Sequence, residues 1–171
     1  VAVKAPEGLC VPSSYLEACR AVHKALVRIQ PSRQAEYDAA LERARLRLAE
    51  LERTSREQVA EAGLKGAKVV VSKHQAAFCR WLGLEVVATY AGGDAASPAA
   101  LLSLANEAKK ARVSLVIANL QEGRQFGDAI AAQIGAKLVV FSNFPSMQDS
   151  EESFDALIQH NLAQLTAVSA K

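Results

Sequence analysis

The side chains of this sequence whose chemistry could serve a metal ion include His74, Cys10 and Asn143. A neutral histidine imidazole is a good ligand for zinc. A cysteine loses its proton when it binds a metal, and its thiolate favours soft or borderline ions. An asparagine amide oxygen suits calcium better than zinc. Each residue has an ordinary alternative: a capping or surface histidine, a free thiol in a loop, and an Asn-Phe-Pro turn that bonds the local backbone.

Four more polar residues stand where apolar runs of the sequence end. Gln75 follows one such run closely, and Asn119, Gln121 and Glu122 follow the run VSLVIA. The amides of Asn119 and Gln121 could bind a ligand directly or hold a metal ligand in place. Glu122 opens a helical segment, where the helix dipole favours a carboxylate in any case. Another corner, Gly92-Gly93-Asp94, could cradle an anion but is too short for a phosphate-binding fingerprint.

The apolar runs themselves predict the elements that position these residues. Four short, almost wholly apolar runs are typical of parallel strands that are buried on both faces. Helical segments at roughly 75–82, 97–110 and 123–134 separate them, and Ser97-Pro98 is a capping signal for the second of these helices. The runs are AKVVVS, LEVVATY, VSLVIA and AKLVVFS.

Four strands with right-handed crossovers make an α/β fold, a small four-stranded parallel-sheet αβα sandwich. A final amphipathic helix carries Phe154, Leu157, Ile158, Leu162 and Leu165 on one side. In such sheets ligands sit outside the carboxyl ends of the strands, so we expect the polar corners to share one cleft.

The first 63 residues are strongly helical and show no strand signal. A first helix should begin at Pro12, with Ser13 or Ser14 as its cap, and Gln30-Pro31 should end it. A second helix over about 33–59 would span ~40 Å. It carries one narrow apolar stripe, which favours a strut along a domain edge or between two lobes over a coiled-coil dimer. The stripe comprises Tyr37, Leu41, Ala44, Leu48 and Leu51.

Composition excludes several function classes. The chain has 171 residues, 50% of them hydrophobic, which suits a domain with a real core. A net charge of +2 without a basic cluster argues against nucleic-acid binding. No apolar run is long enough to span a membrane. The start of the sequence shows no signal peptide, so the chain is either cytosolic or a mature or trimmed form. Three cysteines without a CxxC pair argue against a disulfide framework.

The order of these features resembles the TroA-like, helical-backbone metal receptors, which are the solute-binding proteins of zinc and manganese ABC transporters. The resemblance covers most of the chain and depends on the order and spacing of several segments rather than on one motif. The segments are QPSRQAEY, VVVSKHQAAFCRWLGLEVV, SLVIANLQEG, AAQIGAKLVVFSNFP and FDALIQHNLAQL.

This resemblance implies a periplasmic or otherwise extracytoplasmic protein that holds a divalent metal ion, zinc first, between two lobes. It would deliver the ion to an ABC transporter permease. Residues 1–63 would be the helical segment with the long linking helix. Residues 64–171 would be the C-terminal lobe, and the N-terminal lobe would be absent from this chain.

The resemblance also assigns candidate metal ligands. His74 falls close to the third ligand of the family, and Gln75 is an alternative alignment. Asn143 falls where the family has an aspartate. Cys10 falls near the second histidine of the N-terminal lobe. The chain therefore lacks one histidine and one carboxylate of the family pattern.

Two other classes of function remain as alternatives. A degenerate receptor of the same fold could bind a small polar or chelated solute through Asn119, Gln121 and Asn143, without direct metal ligation. An enzyme could use Cys10 or Cys79 as nucleophile, with His74 as base. The sequence shows no nucleophile elbow, phosphate loop or carboxylate pair at the strand ends, so we expect no enzymatic activity.

Overall fold

The computed structural model describes residues 8–91, 97–145 and 153–168. The chain divides into two compact units, Val1–Thr54 and Ser55–Lys171. The proposed anion cradle at Gly92-Gly93-Asp94 lies outside the described residues. Among the described residues, none of the helices combines the length and the apolar character that a membrane span requires.

The first unit is helical, as the sequence predicts. Helix α1 spans Pro12–Ile29, a short 3-10 turn spans Pro31–Arg33, and helix α2 spans Gln34–Glu61 and so continues past the boundary at residue 54. His23 Nε2 lies 2.6 Å from Asp38 Oδ1 and joins the two helices. This histidine therefore has a structural role.

The predicted cap of α1 is wrong. The N-cap residue is Val11, which has no side-chain cap, and Pro12 occupies the first helical position. Because proline has no N–H and a φ already suited to a helix, it begins the helix. Ser13 and Ser14 therefore lie inside the first turn, and Ser14 is buried.

Helix α2 has the predicted narrow apolar stripe. It contains 28 residues, which corresponds to ~42 Å. Leu48 and Leu51 are buried, whereas Tyr37, Leu41 and Ala44 are half-buried. Its other faces carry exposed ion pairs between residues three apart, which suit a solvated surface. These pairs are Arg45–Glu42 and Arg53–Glu50, each at 2.6 Å.

The second unit contains a four-stranded sheet in which every pairing is parallel, so the predicted α/β fold is confirmed. Strands β1 to β4 span Lys68–Ser72, Glu85–Tyr90, Leu115–Asn119 and Lys137–Phe141, and their order across the sheet is β2-β1-β3-β4. Helices α3 to α6 flank the sheet and span Ala76–Trp81, Pro98–Ala111, Gln125–Ile134 and Phe154–Ala167.

The two central strands are buried, as their apolar sequences predict. Val70 of β1 and Val116 of β3 are fully buried in a cluster that includes Ala108 of α4 and Ile130 of α5. Strand β3 is buried along its whole length. A continuous apolar strand therefore marks the centre of this sheet rather than its edge.

Local capping fixes where α4 begins. The Oγ of Ser97 accepts a hydrogen bond from Ala100 N at 3.2 Å, and Pro98 is the first helical residue. The cap predicted from Ser97-Pro98 is confirmed.

The strand order creates a topological switch point at the carboxyl edge of the sheet, because the chain proceeds in opposite directions from β1. Strand β1 pairs with β2 on one side and with β3 on the other. The chain therefore leaves β1 in one direction along the sheet and later returns on its other side. In parallel sheets such a reversal opens a crevice outside the carboxyl ends of the two strands.

Candidate functional site

The crevice at the switch point lies between two short 3-10 turns. Lys73–Gln75 follows β1 directly, and Leu120–Glu122 follows β3. Gly123 ends the second turn at φ 82°, a conformation that glycine adopts without strain. These turns bring polar residues of both strand ends to the same edge.

His74 and Glu122 face each other across this crevice. Nε2 of His74 lies 3.3 Å from Oε1 of Glu122. The other carboxylate oxygen, Oε2, accepts a hydrogen bond from the hydroxyl of Ser72, a residue that is buried at the end of β1. The His74 side chain is 63% exposed, against 21% for Glu122. An accessible imidazole therefore stands beside a carboxylate that is held in place.

The predicted amide residues meet one another at the same edge. Nε2 of Gln75 donates to Oδ1 of Asn143 at 2.7 Å. The backbone N–H of Asn143 donates to Oε1 of Gln121 at 2.9 Å, and Oδ1 of Asn119 accepts from the backbone N–H of Gln121 at 3.3 Å. We call these four residues (Gln75, Asn119, Gln121, Asn143) the amide cluster. It joins the ends of β1, β3 and β4.

One atom of the amide cluster is buried without a partner. Gln75 is fully buried, and its Oε1 has no hydrogen-bond partner among the described residues. A buried amide oxygen loses its hydration when it leaves water, so an unpartnered one is costly. A ligand or an ordered water could bond this atom only if the edge opened enough to admit it.

Asn161 of α6 supports the end of β4, and the sequence did not predict this role. Its Oδ1 accepts from the backbone N–H of Ser142, and its Nδ2 donates to the carbonyl of Ser142, each at 2.9 Å. Ser142 Oγ in turn accepts from Nε2 of Gln121 at 3.0 Å. The available signal was a polar residue between Ile158 and Leu162, inside the predicted apolar stripe.

Neither Cys10 nor Cys79 has the lowered pKa of a nucleophilic cysteine. Cys10 belongs to the first unit and is half-buried, and burial raises the pKa of its thiol. Cys79 of α3 is buried in the second unit, and desolvation raises its pKa as well. Nucleophilic cysteines need a lowered pKa, so these shifts run against the enzyme alternative.

Within either unit, the described residues include no group of three or more His, Cys, Asp or Glu side chains placed to hold one ion. In the second unit, His74 and Glu122 form a pair, and Asn143 contributes an amide oxygen to the same edge. An ion bound there would complete its coordination with amide oxygens, water or groups elsewhere in the protein.

Comparison with solved structures shows the same fold. TroA, the periplasmic zinc binding protein from Treponema pallidum, matches with a TM-score of 0.78 at 15% identity, over 98% of this chain and 64% of that one. The Cd-bound periplasmic metal binding protein from Candidatus Liberibacter asiaticus matches with a TM-score of 0.78 at 11% identity, over 99% and 67%. A ZnuA crystal structure matches with a TM-score of 0.70 at 22% identity, over 96% and 59%.

These alignments establish how much of a related structure the chain represents. It spans 59% to 67% of the length of the three solved proteins. No curated protein sequence matches the chain. Residues 11–168 match the family model described as zinc-uptake complex component A, periplasmic (ZnuA). The TroA-like resemblance inferred from the sequence is confirmed, and the chain belongs to the ZnuA family.

Proposed function

We propose that this protein is the solute-binding component of an ABC transporter, which captures a divalent metal ion outside the cytoplasm and delivers it to the permease. Zinc is the first candidate, because the family model that covers residues 11–168 is described as a periplasmic zinc-uptake component. The observation that carries the proposal is the position of His74. Its exposed imidazole lies at the switch point of a parallel sheet, beside a carboxylate.

Each part of the chain has its own role in the proposed function. Residues 64–171 form the C-terminal lobe of a two-lobe receptor, and residues 1–63 form the helical segment with the linking helix. The N-terminal lobe lies outside this chain, in keeping with its 59% to 67% coverage of the solved relatives. The ion would be held between the lobes, with no chemical step beyond capture and release.

Among the candidate ligands, His74 has the strongest support. Imidazole nitrogen binds zinc well, and this ring is open to solvent. Asn143 Oδ1 already accepts a hydrogen bond from Gln75, so ligation by Asn143 requires this bond to lengthen or its oxygen to serve both partners. Cys10 would need to lose its proton against the effect of burial.

The first prediction tests His74 directly. In the full-length protein, His74→Ala should lose most of its bound zinc, because it removes the only nitrogen donor proposed for this edge. His160→Ala is the matched control, since His160 is an exposed histidine of α6 and should leave metal content unchanged. The measurement is metal content by mass spectrometry together with affinity by chelator competition. Equal zinc in wild type and His74→Ala would remove His74 from the site.

The same measurement ranks the other two candidates. If Cys10 or Asn143 is a ligand, Cys10→Ala or Asn143→Ala should weaken zinc binding in the full-length protein. A variant that binds zinc like the wild type shows that its residue is not a ligand.

The amide cluster favours a second candidate function, a receptor of the same fold that binds a small polar or chelated solute. Amide groups recognise neutral hydrogen-bonding solutes, and the buried Oε1 of Gln75 has no partner among the described residues. A thermal-shift screen decides between the two functions. A response to organic solutes, with none to zinc or manganese, would select this second function.

A further inference from the structure

His74 has a carboxylate beside it that the resemblance does not assign as a ligand. The resemblance places an asparagine, Asn143, where the family has its aspartate, so the expected anionic ligand is missing. Glu122 enters the crevice from the turn after β3, a different element from the loop that carries Asn143. The two residues are therefore independent candidates for the second ligand at this edge.

We propose that Glu122 is a direct ligand of the bound metal, paired with His74, and supplies the anionic oxygen that Asn143 cannot. The inference depends on the proposed metal-binding function. It adds the identity of the carboxylate and assigns Asn143 to the amide cluster, where its Oδ1 already accepts from Gln75.

The separation of the two donor atoms fits one shared ion. Zinc lies ~2.0–2.1 Å from histidine nitrogen and ~2.0–2.2 Å from carboxylate oxygen. Two such ligands at a tetrahedral angle are therefore about 3.3–3.5 Å apart. Nε2 of His74 and Oε1 of Glu122 are 3.3 Å apart. An ion can thus contact both atoms with little movement of either side chain.

The surroundings of Glu122 fix its carboxylate in one orientation, as is common for a metal ligand. Its Oε2 is engaged by the buried hydroxyl of Ser72, which leaves Oε1 to face His74. Ligating carboxylates are commonly fixed in this way by an outer hydrogen bond. The imidazole is exposed, so an ion can reach the pair from solvent.

An ion pair between a protonated His74 and Glu122 is the competing explanation for the same distance. Such a pair would be open to solvent and contribute little to stability. In that case Glu122 would not touch the ion, and removing its charge would lower metal affinity much less than the loss of a direct ligand would. The two explanations therefore differ in what happens to metal affinity when only the charge of Glu122 is removed.

The test uses the full-length protein with zinc, cobalt(II) and manganese(II) as probes. Glu122→Gln keeps the size of the side chain and its ability to bond Ser72, but removes the anionic oxygen. Asp128→Asn is the matched control, because Asp128 is an acid of α5 that pairs with Arg124 rather than with the crevice. His74→Ala is measured alongside them.

If Glu122 ligates, zinc affinity in Glu122→Gln should fall more than about 100-fold, beyond the ~10–100-fold typical of outer partners. The cobalt(II) d–d absorption spectrum should also change at saturation. Asp128→Asn should match the wild type in both measurements. Glu122→Asp provides a second variant if the first does not fold: it keeps the charge but shortens the reach, so direct ligation predicts weaker zinc binding there too.

The remaining outcomes distinguish a failure of the Glu122 assignment from a failure of the proposed function. If His74→Ala loses zinc while Glu122→Gln keeps its affinity or its cobalt spectrum, direct ligation by Glu122 is overturned and the proposed function stands. If the wild type takes up neither zinc, cobalt(II) nor manganese(II), the proposed function itself fails, and the inference fails with it.

Discussion

At the scale of single residues, the site combines one accessible group with several fixed ones. His74 is exposed, whereas Ser72, Gln75 and Asn161 are almost completely buried. Buried polar side chains hold their positions because leaving their partners unpaired is costly. The crevice is therefore built from a rigid polar base that orients the groups nearer to solvent.

Asn161 offers a test of this rigidity. Asn161→Ala removes both hydrogen bonds to the backbone of Ser142 and leaves a buried N–H and C=O without partners. We expect a loss of about 1–3 kcal/mol in the free energy of unfolding, or somewhat more if both groups stay dry. Urea unfolding followed by circular dichroism measures it.

Gln159→Ala is the control for this substitution, since Gln159 is exposed on the same helix and should change stability by less than about 0.5 kcal/mol. Equal effects of the two substitutions would show that the bonds to Ser142 do not stabilise the end of β4.

The histidine and amide corners could be located from the sequence, but most of their partners could not. An apolar strand followed by a polar side chain identifies a strand end, and this placed His74, Asn119 and Asn143 at one edge. The bond from Ser72 to Glu122 joins residues 50 positions apart. No local pattern encodes such a pairing, because it depends on which strands become neighbours.

At the scale of elements, the close packing of α5 on the sheet fixes how Glu122 enters the crevice, since α5 begins just after the turn that carries it. Gly127 is buried on this helix. A Cβ added there would lie 2.8 Å from the Tyr90 hydroxyl, 3.0 Å from Leu138 Cδ1 and 3.2 Å from Ala118 Cβ. Glycine therefore permits a close approach of helix to sheet at this point.

Gly127→Ala sets two effects against each other. Alanine improves helix propensity by up to ~1 kcal/mol, whereas overpacking a well-filled core costs ~1–3 kcal/mol. We expect net destabilisation, because the added Cβ would lie closer than ordinary contact to three atoms from three strands. The measurement is the free energy of unfolding of the full-length protein in urea.

A double-mutant cycle identifies the cause. Tyr90→Phe removes the nearest obstructing atom, so Gly127→Ala should cost less in that background than in the wild type. If the cost is the same in both backgrounds, contact with the Tyr90 hydroxyl is not its source.

The strands and most helices follow from sequence patterns, and the start of α1 shows where local rules compete. Both Pro12 and the serines after it are N-terminal signals. Proline determined the start because its fixed φ is already helical, so the serines lost their capping role. Ser97, which directly precedes a proline, met both requirements at once and caps α4.

At the scale of the whole molecule, the function proposed above is that of a two-lobe receptor, in which binding should stabilise the closed form. A ligand that binds only the folded protein adds RT ln(1 + [L]/Kd) to its stability. The size of this increase depends on affinity and concentration alone, so it reports binding independently of transport.

Zinc at 100 times its dissociation constant should therefore stabilise the full-length protein by about 2.7 kcal/mol. A chelator should reverse the increase, and His74→Ala should abolish it. The midpoint of thermal unfolding at several zinc concentrations provides the measurement. A midpoint that zinc and manganese leave unchanged, but that an organic solute raises, would favour the receptor based on the amide cluster.

The sequence by itself determined the class of fold and the edge of the sheet at which the polar side chains gather. Four apolar runs separated by helices leave parallel pairing as the arrangement that buries them, and parallel strands present their carboxyl ends together. The tertiary structure decided which polar groups meet at that edge. Strand order brought the turn after β3 beside the end of β1 and set Glu122 against His74. That contact depends on packing between distant segments, whereas strand formation depends on local patterns of apolar residues.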